Sequence, residues 1–152
     1  MDPIRRRGLF LAWTATVLLL LSGSGFSQEN IPTGISVIAN PSVTVTAIDK
    51  NTLKKLFTGQ QVTWGDGRPV KSALLTEGET HDRFVGGYLD KTPSQFQTYW
   101  RKMVFTGQGI QPPAFDNEQK LIEYVAGTEG AIGYISSSTT AAGTKTLQVT
   151  DK

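Results

Sequence analysis

The sequence predicts an α/β fold: a single compact domain in which a small mixed β-sheet is covered by helices. Short β-branched runs alternate along the chain with segments of helical periodicity, the pattern of packed sheet and helix layers. Glycines, 16 in all, recur at the ends of those segments, where they stop helices and turn strands. The length of 152 residues suits one domain, since soluble domains usually run about 100–150 residues.

The elements follow in order. Ile35-Ser36-Val37-Ile38-Ala39 is β-branched and stopped by Asn40-Pro41, so it reads as a buried strand, with Val43 and Val45 prolonging the extended chain. Asp49 is placed to N-cap a first helix, with Ile48 and Leu53 as a hydrophobic staple and Leu53, Leu56 and Phe57 on one face; Gly59 ends it. Trp64 to Pro69 is a turn sequence, and Val70 to Leu75 reads as one strand. The second helix carries Phe84, Val85, Tyr88 and Leu89, weakened by Gly86-Gly87. Its start is open between a Thr76/Glu79 capping box and a Thr80 cap.

The third helix has the sharpest signature. Thr92 is its N-cap, Pro93 its first residue and Gln95 the partner in a capping box. Phe96, Tyr99, Trp100, Met103 and Val104 follow the spacing of a core-facing stripe, so this helix is expected to dominate the packing. Asp116 with Gln119 is expected to cap a fourth helix bearing Leu121, Ile122 and Val125 and ending at Gly127. Gly130 to Ile135 is a strand, Ser136 to Gly143 a small polar loop, and Thr146 to Val149 a last strand. The tetrapeptide Phe-Thr-Gly-Gln occurs at 57–60 and 105–108; its flanks do not align, so both copies read as helix stops with glycine in the left-handed position.

Composition excludes several kinds of chemistry. There is no cysteine and one histidine, which rules out disulfides, thiolate sites, a cysteine nucleophile and a polyhistidine zinc site. The formal charge of +2 comes from 15 basic against 13 acidic residues. Arg5-Arg6-Arg7, the apolar run Leu9 to Leu21 and the small residues from Ser22 to Ser27 have the three-part pattern of a secretory signal, with cleavage expected after Ser27. The apolar run of 13 residues is shorter than the roughly 20 that span a bilayer. Residues 1–27 take three arginines and one aspartate with them, leaving 28–152 with twelve basic and twelve acidic residues and no electrostatic basis for nucleic-acid binding. The expected location is periplasmic or secreted.

Catalytic signatures are equally scarce. No G-x-S-x-G elbow is present, Gly107-Gln108-Gly109 is too short for a dinucleotide fingerprint, and Asp66-Gly67 lacks the rest of a calcium loop. His81 and Asp82 are neighbours on a helix and point in different directions. No enzyme, cofactor or metal is therefore predicted. Trp64 and Trp100 read as core or interface anchors unless Trp64 proves exposed.

Three separated segments resemble one family. Asp49 to Trp64, with its helix, Phe57-Thr58-Gly59 and following tryptophan, resembles the helix and F-x-G-K-x-x-x-W stretch of phosphate ABC transporter substrate-binding proteins. Gly130-Ala131-Ile132-Gly133-Tyr134 resembles their late G-A-I-G-Y strand. Tyr99 to Gly109, with Pro112-Pro113, is similar to a short single-domain subgroup of that superfamily. The resemblance implies one lobe of a type 2 periplasmic binding protein, exported, with a small oxyanion such as phosphate as ligand. An ABC transporter permease or another envelope protein would be the partner.

In that family the ligand is held by hydroxyls after an early strand and by an R-x-D-G-S-G-T turn opening a helix. Carried over, the first group implies Ser42 and Thr44, and the second corresponds to Leu75-Thr76-Glu77-Gly78-Glu79-Thr80. The arginine position holds Leu75, Gly78 and Thr80 are retained, and Glu77 and Glu79 add negative charge. The candidate ligand-binding residues are thus Ser42, Thr44, Thr76, Gly78, Thr80 and Arg83, the last as a replacement cation one turn into the helix. Each has a structural alternative: helix capping for Thr76, Gly78 and Thr80, loop chemistry for Ser42 and Thr44, and an i, i+4 ion pair with Glu79 for Arg83. Binding across one lobe is expected to be shallow. The alternative function is a periplasmic protein-interaction module without a small ligand.

Overall fold

The computed structural model describes residues 34–151, so the secretory signal expected at 1–27 lies outside the described residues. A buried, β-branched start gives β1 (Ile35–Ala39), and Ala47–Asp49 forms the short β2. Asp49 caps α1 (Lys50–Phe57), accepting from the Thr52 N–H at 2.9 Å. The stretch from Val70 to Leu75 is not one strand. It splits into β3 (Lys71–Ser72) and β4 (Leu74–Leu75), which lie in different sheets. There follow α2 (Glu79–Tyr88), α3 (Pro93–Phe105), β5 (Ala114–Phe115), α4 (Glu118–Gly127), β6 (Ala131–Ser136) and β7 (Lys145–Thr150).

The main sheet is mixed, as the interleaved pattern predicts, with strand order β2-β7-β1-β6-β3. β1 runs antiparallel to both β6 and β7, whereas β2 is parallel to β7 and β3 to β6. A two-stranded parallel sheet joins β4 and β5. β6 is buried along almost its whole length, as expected of a central strand covered on both faces. Gly133 in its middle lets α4 come close: a Cβ there would lie 2.7 Å from Leu121 Cδ2.

The core centres on β6. Tyr134 stacks on Phe84 with ring centroids 3.8 Å apart, and Phe57 meets Phe84 edge-on at 4.8 Å. α3 contributes less than its spacing predicts. Phe96 and Trp100 are buried, Tyr99 and Met103 are half-buried, and Val104 is 48% exposed, because this helix packs on α2 at the flank of the molecule and not on the sheet. Its Thr92/Gln95 capping box is present as expected.

Two predicted caps are corrected. Asn117, one residue after Asp116, caps α4 by accepting from the Lys120 N–H at 2.9 Å, while Asp116 pairs with Lys120 through its side chain. For α2 neither Thr76 nor Thr80 caps: the N-cap is Gly78 at φ 106°, a conformation open to glycine and strained for other residues. Asn40 does more than end β1. Its buried side-chain amide donates to the carbonyls of Val125 and Ala126 at 2.8 and 2.9 Å, satisfying the end of α4 from 85 residues away.

Candidate functional site

β3, β4 and β6 all run toward one end of the molecule, and the loop Thr76–Gly78 and the turn Ser136–Thr139 leave from it. Open α/β sheets bind ligands at the carboxyl ends of their strands, because helix starts and loops converge there. At this end α2 begins. Gly78 turns the chain into the helix without a side-chain cap, so the first N–H groups of α2 keep their donor capacity and the positive end of the helix dipole faces outward. Thr76, Glu77, Gly78 and Glu79 are exposed there.

Thr80, half-buried, turns the other way. Its hydroxyl donates to Glu118 Oε1 at 2.8 Å, and the Ser136 N–H donates to the same oxygen at 3.0 Å. The Thr139 hydroxyl donates to Glu118 Oε2. Three donors from three segments therefore converge on one carboxylate carried by the first residue of α4. Burial pushes the Glu118 carboxyl up, but the hydrogen bonds from Thr139, Ser136 and Thr80 outweigh it and hold it below the usual glutamate range. Ser136 and Ser138 share a further hydrogen bond of 2.8 Å beside this cluster.

Next to the α2 start lies a cavity of 460 Å³ between Thr76–Asp82 and the first turns of α3, with Ser94, Gln97 and Gln111 on its wall. Its lining includes the carboxylates of Glu77 and Asp82 and no Lys or Arg, so its interior favours neutral or cationic groups over anions. His81 lines it, 7% exposed. The Tyr134 hydroxyl accepts from the Leu75 N–H at 3.0 Å and shares a hydrogen bond of 2.6 Å with His81 Nδ1, whose direction depends on the imidazole tautomer. Burial pushes the His81 pKa down, against a smaller upward pull from Asp82. Among the described residues no group of three His, Asp or Glu is placed to hold a metal ion.

Ser42 and Thr44 stand elsewhere. Ser42 Oγ accepts from the Gly130 N–H at 3.1 Å and its carbonyl accepts from Arg68 at 2.7 Å, while Thr44 faces Asp66. Gly130 precedes β6 and Ser136 ends it, which separates Ser42 from Thr80 by about 20 Å at 3.3 Å per residue. The cause is strand direction: β1 is antiparallel to β6, so the loop after β1 leaves from the opposite end of the sheet. Thr76 and Gly78 precede α2 and Thr80 and Arg83 lie in its first turns, with Thr80 turned to Glu118 and Arg83 paired with Glu79. Trp64 is buried and donates to the Gly130 carbonyl at 3.0 Å, which makes it a structural anchor.

Sequence reasoning missed Glu118, Ser136 and Thr139. The signal available was the hydroxyl run Ser136-Ser137-Ser138-Thr139-Thr140 directly after a buried strand.

No protein-family model matches the chain, and no curated protein does. Solved structures do. An ABC-type phosphate transport receptor from Vibrio cholerae superposes at a TM-score of 0.56 with 15% identity, covering 76% of this chain and 46% of that one. PstS from Borrelia burgdorferi gives a TM-score of 0.59 at 16% identity, covering 76% and 47%. A Clostridium perfringens protein of the phosphate ABC transporter substrate-binding type, solved with bound phosphate, gives 0.52 at 20% identity, covering 76% and 44%. The chain therefore has the fold of a lobe of phosphate-transport binding proteins and spans less than half the length of these structures. No helix among the described residues is long and apolar enough to cross a membrane.

Proposed function

We propose that this chain is an exported, non-enzymatic solute-binding-type protein that takes a small oxyanion such as phosphate at the head of α2, in the service of an ABC transporter permease or another envelope protein. The observation that carries the reading is the start of α2, where Gly78 supplies no side-chain cap and the first N–H groups of the helix are left open. Open N–H groups at the positive end of a helix dipole favour anionic oxygen, while the Thr80 and Thr139 hydroxyls and the Ser136 amide beside them are taken by Glu118. The likeness to phosphate-transport receptors and the signal-like start at 1–27 support the same reading. Ser42 and Thr44 are outside this site; Thr76, Gly78, Thr80 and Arg83 remain its proposed residues.

Isothermal titration with phosphate, sulfate and acetate tests it. Millimolar phosphate should give saturable heat and raise the melting temperature, since any ligand of the native state stabilises it. Glu79→Gln removes a carboxylate from the helix start and should tighten phosphate several-fold. No heat and no thermal shift at millimolar anion overturns the reading. The second reading, an interaction module without small ligand, is favoured by Leu75 standing where the resembled motif has arginine and by the Arg83 pairing with Glu79, which leave the α2 head without a free cation.

A further inference from the structure

α3 ends in a tip that the solute-binding reading does not use. Phe105 and Ile110 are each 92% exposed, Val104 is 48% exposed and Val62 64%. Val62 and Ile110 line one groove over Trp100, so the apolar surface is continuous from the tip to the buried flank of α3. Scattered single apolar residues are ordinary on a surface; a protruding group of large ones is not.

The backbone of this tip is closed on itself. The Thr106 N–H and hydroxyl both donate to the Lys102 carbonyl, Gly107 N–H donates to Val104, and Gln108 and Gly109 N–H both donate to Met103. A turn whose N–H groups from Thr106 to Gly109 are already paired brings few unpaired donors into an apolar medium. The charge on the tip's own segment has one sign. From Pro93 to Phe115 the chain carries no acidic residue, and Arg101 and Lys102 stand in the last turns of α3 before the tip. Arg101 lies one helical turn before Phe105 and shares its face.

We propose that the Val104–Ile110 tip docks this domain onto an anionic phospholipid surface. Phe105 and Ile110 enter the boundary between headgroups and acyl chains, and Arg101 and Lys102 meet the lipid phosphates. Two apolar side chains and a few cations make such docking weak, reversible and salt-sensitive.

The absence of cysteine allows a single reporter in the full chain. A fluorophore sensitive to polarity is attached through Gln108→Cys in the tip, and in a control through the exposed Thr146→Cys on β7. With vesicles containing phosphatidylglycerol the tip label should shift to the blue and the β7 label should not; phosphatidylcholine vesicles should shift neither. Phe105→Ser with Ile110→Ser should abolish the tip shift. Arg101→Gln and Lys102→Gln should each weaken vesicle binding at low salt by about fivefold. Circular dichroism confirms that each variant is folded. The proposal is overturned by equal shifts at both labels, by no tip shift with anionic vesicles, by a shift that survives the serine pair, or by a tip shift that grows with protein concentration without lipid. That last outcome assigns the tip to a second copy of the chain. None of these readouts involves an oxyanion, so this proposal and the solute-binding reading fail independently.

Discussion

His81 is buried in a hydrogen bond with Tyr134, and its depressed pKa makes a signed prediction. The unfolded chain binds a proton near the ordinary value of 6.5, and the folded chain resists it. Stability contributed by keeping the ring neutral is therefore complete above pH about 7 and declines as pH falls below 6.5 toward the lower folded value. Urea midpoints measured between pH about 7.5 and 5 should fall for the native chain and flatten in His81→Gln, whose amide can bond the Tyr134 hydroxyl as donor or acceptor. An unchanged slope in the variant sinks this account. Glu118 acts in a lower window: its hydrogen bonds hold the charged form, so its contribution is present above the usual glutamate pKa and lost as pH falls through the lowered one. Neither role was visible along the chain. His81 read as a helix residue beside Asp82, and Glu118 carried no signal, because their partners Tyr134, Ser136 and Thr139 lie 18 to 53 residues away.

The two copies of Phe-Thr-Gly-Gln separate what an element owes to its own sequence from what it owes to its neighbours. Both end helices in the same way: Gly59 and Gly107 each have φ 69°, and the threonine hydroxyl of each bonds the carbonyl four residues back. In both, the glycine N–H reaches the third residue back and the following glutamine N–H the fifth, the paired bonds of a Schellman cap. Their phenylalanines have opposite fates, Phe57 at 0% exposure and Phe105 at 92%. Phe57→Ala should cost about 3–5 kcal/mol in urea unfolding. Phe105→Ser should change stability by less than about 0.5 kcal/mol. A large loss at Phe105 means that the tip packs inside the fold after all. The same contrast accounts for α3, whose cap was legible to the residue while its apolar stripe was only partly buried. Capping is settled within four residues, but burial needs a partner surface, and α2 covers only one side of the stripe.

At the scale of the whole molecule, the last strand holds the sheet together. β7 lies between β1 and β2, antiparallel to one and parallel to the other, with Leu147 buried on its inner face. Deleting residues 145–152 strips hydrogen-bond partners from two strands at once and leaves β2 with no neighbour in the sheet. The truncated chain should lose cooperative thermal unfolding by near-ultraviolet circular dichroism; a sharp transition within a few degrees of the full chain contradicts this role for β7. The α/β class, the four helices with most of their ends, the strands β1, β6 and β7, and the likeness to a phosphate-binding lobe were legible in the sequence alone, because periodicity, caps and glycine stops are local properties, whereas the short β2 and β5 were not. Tertiary structure decided the rest: that Val70 to Leu75 serves two sheets, that Ser42 stands about 20 Å from Thr80, and that Glu118 occupies the donors beside α2. Strand direction is the physical reason. Whether a loop leaves from one end of a sheet or the other depends on which distant strand it pairs with, and no window of neighbouring residues carries that pairing.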